Sequence, residues 1–211
     1  MCYTIGMSQA VLRKTEEVSA DGRLTYADYI ALDSNVRGGR GGSDVRYELI
    51  DGKMVKMLAS ASTAHQRVAK RLLYQFETFL KGKKCEVFQE LDLRLFPAPD
   101  ESDDTVYIPD LMVVCDAAKI GAQGCSGAPT LVIEILSPST QAYDEWIKYR
   151  NYQKAGVAEY WIVDPENKMV KVCILKDGSY STLIYEAHEA IDVSVLSGCR
   201  IALTDIFADP L

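Results

Sequence analysis

A carboxylate inside an unbroken apolar run is the feature that most restricts how this chain can fold. Glu134 lies in Leu131-Val132-Ile133-Glu134-Ile135-Leu136, a run without polar alternation that reads as a strand buried on both faces. An ionised carboxylate is costly to bury unless it is paired, hydrogen-bonded, protonated or bound to a metal. The fold must therefore bring Glu134 a partner. Asp110 follows the strand-breaking Pro109 at the start of the preceding apolar run, Tyr107 to Cys115, and neighbouring strands can bring both carboxylates to one end of a sheet. Two hard oxygen donors together suit magnesium or manganese.

The remaining pattern frames that pair. Residues 1–23 read as an N-terminal arm, and Thr25 is placed to cap a short helix over Thr25 to Leu32. The tract Gly38-Gly39-Arg40-Gly41-Gly42-Ser43 lacks the preceding strand, the Lys-Ser/Thr ending and the following helix of a phosphate loop, so it reads as a linker. Val45 to Ile50 and Lys53 to Leu58 flank Asp51-Gly52, a two-residue hairpin turn. Thr63 and Gln66 have capping-box spacing, and Val68, Leu72, Leu73, Phe76, Phe79 and Leu80 recur at helical intervals, which predicts a helix over Ala64 to Lys81. Alternation over Val87 to Leu95 predicts one half-buried strand, and Tyr107 to Cys115 a second that is interrupted near its start by Pro109. Ser137-Pro138-Ser139-Thr140 stops the Glu134 strand, and a helix over Gln141 to Ala155 ends at Gly156 and leads into a strand over Ala158 to Val163. Turns at Asp164 to Asn167 and Lys176 to Ser179 make the remainder a β meander. The expected class is α/β in the α+β sense, with a single domain over 24–211.

Composition narrows the function. A chain of 211 residues, 48% hydrophobic and 25% charged, can bury a self-supporting core. No apolar run approaches the roughly 20 residues needed to span a bilayer. Met1 to Ala10 lacks the charged start and apolar stretch of a secretory signal, so a cytoplasmic location is expected. The six cysteines, at 2, 85, 115, 125, 173 and 199, form no Cys-x-x-Cys pair and read as buried reduced thiols. His65 and His188 are the only histidines, too few for a zinc cluster of ordinary type. A net charge of -7 argues against indiscriminate nucleic-acid binding, although Arg67, Lys70, Arg71, Lys81, Lys83 and Lys84 concentrate positive charge locally. Tyr160 and Trp161 read as core residues.

The order helix, three strands, helix, strand, with Ile108-Pro109-Asp110 on one strand and Glu134-Ile135-Leu136-Ser137-Pro138-Ser139-Thr140 from the next, resembles the PD-(D/E)XK nuclease core. With Tyr47-Glu48-Leu49-Ile50-Asp51-Gly52, His65, Asp144, Lys148 and Gly156-Val157-Ala158-Glu159-Tyr160-Trp161-Ile162-Val163-Asp164-Pro165, it looks like the Uma2 family of restriction-endonuclease-like proteins over about Leu24 to Phe207. The resemblance implies phosphodiester hydrolysis in DNA at a magnesium or manganese ion held by Asp110, Glu134 and the backbone carbonyl of Ile135. It also marks Glu48 as a further catalytic acid and His65 as a phosphate-binding residue. The signature's lysine position, two after Glu134, holds Leu136, so Lys148 on the following helix is the expected substitute. The competing expectation is a non-catalytic binding or assembly module that keeps the fold. Edge strands of the C-terminal meander suit a homodimer.

Overall fold

The protein is described by a computed structural model covering residues 22–37, 46–57, 62–137 and 143–209. In chain order the elements are α1 (Tyr26–Arg37), β1 (Arg46–Ile50), β2 (Lys53–Met57), α2 (Thr63–Leu80), β3 (Glu86–Gln89), β4 (Leu93–Arg94), β5 (Val106–Tyr107), β6 (Leu111–Val114), β7 (Ile120–Gly121), β8 (Gly124–Ser126) and β9 (Leu131–Ile135). A π-helical segment (Tyr143–Lys148) then runs into α3 (Tyr149–Ala155), followed by β10 (Glu159–Asp164), β11 (Met169–Lys176), β12 (Ser179–Glu186), β13 (Ala190–Asp192), β14 (Arg200–Ala202) and α4 (Leu203–Ile206). This is the mixed α+β class expected. The arm up to residue 21, the glycine tract and Pro138-Ser139-Thr140 lie outside the described residues.

The described residues fall in two compact units, Met1–Ala59 with Ala98–Val106, and Ser60–Pro97 with Tyr107–Leu211. In the first, Thr25 and Asp28 cap α1 reciprocally. Thr25 N donates to Asp28 Oδ2 at 2.8 Å, and Asp28 N donates to Thr25 Oγ1 at 3.4 Å. The helix runs on to Arg37, past the expected end at Leu32. Ile50 stands opposite Lys53 across Asp51 and Gly52, whose φ angles of 48° and 75° make the type I′ turn. Tyr26, Tyr29, Leu49 and Val106 form the small core of this unit.

The second unit is built on a six-stranded sheet in the order β12-β11-β10-β9-β6-β3. Only β9 and β10 run parallel, as the intervening helix requires; the other pairs are antiparallel. Ser62, not Thr63, caps α2, its Oγ accepting from His65 N at 3.2 Å. The apolar stripe of α2, Val68, Ala69, Leu72, Phe76 and Leu80, packs on Leu111, Leu131, Ile133, Ile135 and Trp161 from one face of the sheet. The buried rings of Tyr152 on α3 and Tyr160 on β10 meet at 4.9 Å between centroids.

Two further expectations are corrected. The alternating segment Val87 to Leu95 is two strands: β3 pairs with β6, and β4 pairs in parallel with β8. Glu90, at φ 51°, redirects the backbone while the apolar alternation continues through the break. Gly124 makes the β4–β8 approach possible, because a Cβ there would lie 2.3 Å from the Asp92 carbonyl oxygen. The strand from Tyr107 breaks at Ile108 to Asp110, as expected from Pro109, and resumes at Leu111. Finally, Cys85 and Cys115 form a disulfide with Cα atoms 4.0 Å apart. Glu86 stands opposite Val114, so these two cysteines are the next facing pair, and no sequence spacing announces that. Cys125, Cys173 and Cys199 are free and buried, as expected. Among the described residues no helix is long and apolar enough to cross a membrane.

Candidate active site

The register of β6 and β9 places Leu111 opposite Ile133, so Asp110 and Glu134 follow as the next facing residues at the C-terminal end of β9. Asp110 Oδ2 accepts a hydrogen bond from Ile135 N at 2.7 Å, tying the entrance of β6 to the exit of β9. His65, in the first turn of α2, brings Nε2 to 3.3 Å from the same carboxylate oxygen, while its buried Nδ1 has no hydrogen-bond partner among the described residues. Burial lowers the pKa of the imidazole. The hydrogen bond and charge of Asp110, the Ile135 carbonyl and the charge of Glu90 outweigh that, and the net shift is upward from 6.5. The Asp110 side chain keeps 20% of its surface exposed, so this half of the site can be reached from solvent.

Glu134 is approached from the other direction. Lys148 Nζ donates to its Oε1 at 3.0 Å and Tyr152 OH donates to the same oxygen at 2.8 Å. Glu134 and Lys148 are 3% and 2% exposed, so the offset that the sequence demanded is supplied by a buried ion pair. Lys148 Nζ also lies 3.4 Å from Asp144 Oδ1 and 5.4 Å above the ring of Tyr107. The π-helical turn has a structural consequence here: Asp144 and Lys148 are turned inward, while Trp146 between them is 72% exposed. Tyr160 OH donates to the Asp144 carbonyl at 3.0 Å and anchors that turn. Burial, together with the charges of Glu134 and Asp144, pushes the Tyr160 phenol well above its ordinary value, so it remains a neutral donor.

Residues 27–204 match the Uma2 family, described as "Putative restriction endonuclease". The chain belongs to the Uma2 family. Over 164 residues it is 28% identical to "Uncharacterized protein slr1290" of Synechocystis sp. (strain ATCC 27184 / PCC 6803 / Kazusa), an alignment covering 77% of this chain and 83% of that one. Its fold is similar to that in the crystal structure of "a putative nuclease belonging to DUF820" from Anabaena variabilis ATCC 29413, with a TM-score of 0.68 at 20% identity. That likeness covers 88% of this chain and 98% of the other; at such identity it speaks for the fold alone.

In this Uma2-family chain, Asp110, Ile135 and His65 meet around one carboxylate oxygen, and Glu134 and Lys148 meet on the facing residue. Glu48 is also buried, at 2% exposure, on β1 in the first unit. Sequence reasoning missed Tyr152 as a partner of Glu134. The signal was present, because Asp144, Lys148 and Tyr152 recur every fourth residue along one helix.

Proposed function

We propose that this Uma2-family protein is a divalent-metal-dependent endonuclease that hydrolyses phosphodiester bonds in DNA at a PD-(D/E)XK-type site. One observation carries the reading: Asp110 and Glu134 are the next facing residues where β6 begins and β9 ends, with the Asp110 carboxylate held by Ile135 N and met by His65 Nε2 at 3.3 Å. The two carboxylates are hard oxygen donors that fit magnesium or manganese. Asp110, Glu134 and the Ile135 carbonyl would hold the ion. When bound, it supplies Lewis acidity toward a phosphate oxygen and lowers the pKa of a water molecule.

The chain's own groups do the rest. Ile135 N fixes the Asp110 carboxylate, and Tyr152 fixes that of Glu134. Lys148 stands in for the ammonium that Leu136 cannot provide, holding positive charge where negative charge develops. A protonated His65 is a donor for a DNA phosphate. The buried Glu48 is carried as a further catalytic candidate, tested by E48Q.

A second reading, a non-catalytic module, is favoured by a specific observation. Lys148 and Tyr152 already satisfy Glu134 Oε1, and among the described residues no three His, Cys, Asp or Glu side chains form a metal-holding group. Calorimetric titration with manganese separates the two. Binding by the wild type that is lost in D110A/E134A, with circular dichroism unchanged, supports the nuclease reading; plasmid cleavage that follows the same pattern completes it. Absence of binding at millimolar manganese, with or without DNA, supports the module.

A further inference from the structure

β12 is an outer strand of the six-stranded sheet. All of it pairs with β11, from Ser179 opposite Lys176 to Glu186 opposite Met169. Asp177 and Gly178, with φ of 49° and 80°, form a two-residue I′ turn, so Lys176 and Ser179 are a hydrogen-bonded pair. Alternation from that pair turns the backbone groups of Tyr180, Thr182, Ile184 and Glu186 away from β11. Two of these amides are plugged by side chains: Tyr180 N donates to Gln153 Oε1 at 2.9 Å, and Glu186 N donates to Glu189 Oε2 at 2.7 Å. Between the plugs, the outward amides of Thr182 and Ile184 have no hydrogen bond among the described residues. Both the plugs and the open amides are symmetric about Leu183.

The strand also lacks the usual protection of an edge. The opposite edge, β3, spans only Glu86–Gln89, carries Glu86 and is flanked by Lys83, Lys84 and Glu90. β12 has no charge from Ser179 to Tyr185, no proline and no bulge in its register. Leu183 and Ile184 are 49% and 60% exposed.

We propose that β12 pairs antiparallel with the β12 strand of a second copy of this chain, about a two-fold axis at Leu183. Thr182 N–H then donates to the carbonyl of Ile184 of the partner subunit, Ile184 N–H donates to the carbonyl of Thr182 of the partner subunit, and both bonds recur by symmetry. A second copy is the occupant because the open window is self-complementary, so the contact closes on itself instead of propagating. The window is also uncharged in a chain of net charge -7, so two copies meet there without repulsion. The plugs at Tyr180 and Glu186 stop the pairing at both ends and set its register. This inference does not depend on the metal site.

Sedimentation of the full chain across micromolar concentrations should show a dimer. I184K should weaken it by at least ~tenfold, since the two added charges lie close across the axis. I184P removes only an amide that the protomer does not use and should have the same effect, with circular dichroism unchanged in both. L183C should form a disulfide-linked dimer on non-reducing gels, because residues 183 of the two copies are a directly facing pair. S181C, which would face Tyr185 of the partner subunit, should not. A wild type that is monomeric throughout, a dimer untouched by both Ile184 variants, or crosslinking at 181 instead of 183 would overturn the proposal.

Discussion

Two glutamates are buried in adjacent parallel strands of the same sheet, and their surroundings differ in kind. Glu159 stands opposite Leu131 and Glu134 opposite Ile162, so the two side chains lie on opposite faces and toward opposite ends of the strands. Among the described residues Glu159, at 0% exposure, is held by neutral donors alone: the Trp161 indole N–H at 2.6 Å, the Ser194 hydroxyl, and Val195 N at 3.2 Å. It fastens β10 to the segment before β14. Glu134 is held by an ammonium and a phenol. Burial alone therefore does not single out a candidate site residue. Neutral donors fixed in the fold can only keep a carboxylate in place, whereas an ammonium on a flexible stem can be exchanged for another cation.

The largest effect is expected at Lys148. K148M strands Glu134 and Asp144 as buried charges and should lower the unfolding free energy by about 3–5 kcal/mol, measured by urea denaturation. The triple variant E134L/D144N/K148M removes all three charges and should recover most of that loss. A stable K148M would show that Glu134 does not rely on this lysine.

Next comes the exchange of roles between the two acids. E159Q turns an amide N–H toward groups that are themselves donors, and should cost about 1–3 kcal/mol while manganese affinity stays as in the wild type. E134Q should do the reverse under the proposed function, abolishing manganese binding with a smaller loss of stability. Equal effects of the two variants on calorimetry and unfolding would erase the distinction.

Y152F removes one neutral hydrogen bond from Glu134 and should cost about 1 kcal/mol. The smallest effect belongs to His65. Its folded pKa is raised above 6.5, so its contribution to stability is fully present below 6.5 and is lost as pH rises through the folded pKa. The difference in unfolding midpoint between wild type and H65Q should accordingly shrink from acid to alkaline pH. A difference that grows would contradict the Asp110–His65 contact.

What could be read from the sequence was local. Asp51-Gly52 demanded positive φ and delivered a hairpin in the expected register; the α2 stripe and the Glu134 strand declared themselves by period and by apolar content. Val87 to Leu95 misled because side-chain alternation survives a change of backbone direction at Glu90. The burial of Glu159 has no local signal, because Glu-Tyr-Trp-Ile-Val begins with its acid and looks like an ordinary strand entrance, while its partners Ser194 and Val195 lie far along the chain. The π-helical turn had no signal in periodicity, since Asp144 and Lys148 look like any i, i+4 pair.

By itself the sequence determined that Glu134 must be buried and must find a partner, because no local arrangement could return a carboxylate within that apolar run to water. It also determined the turns, since their φ angles belong to particular residues. Which cation meets Glu134, which donors meet Asp110, that Cys85 meets Cys115, and that the open stretch of β12 is centred on Leu183 were decided only by the tertiary structure. Each depends on strand register and helix placement, which set contacts between residues distant in the chain and leave no trace in the spacing of neighbours.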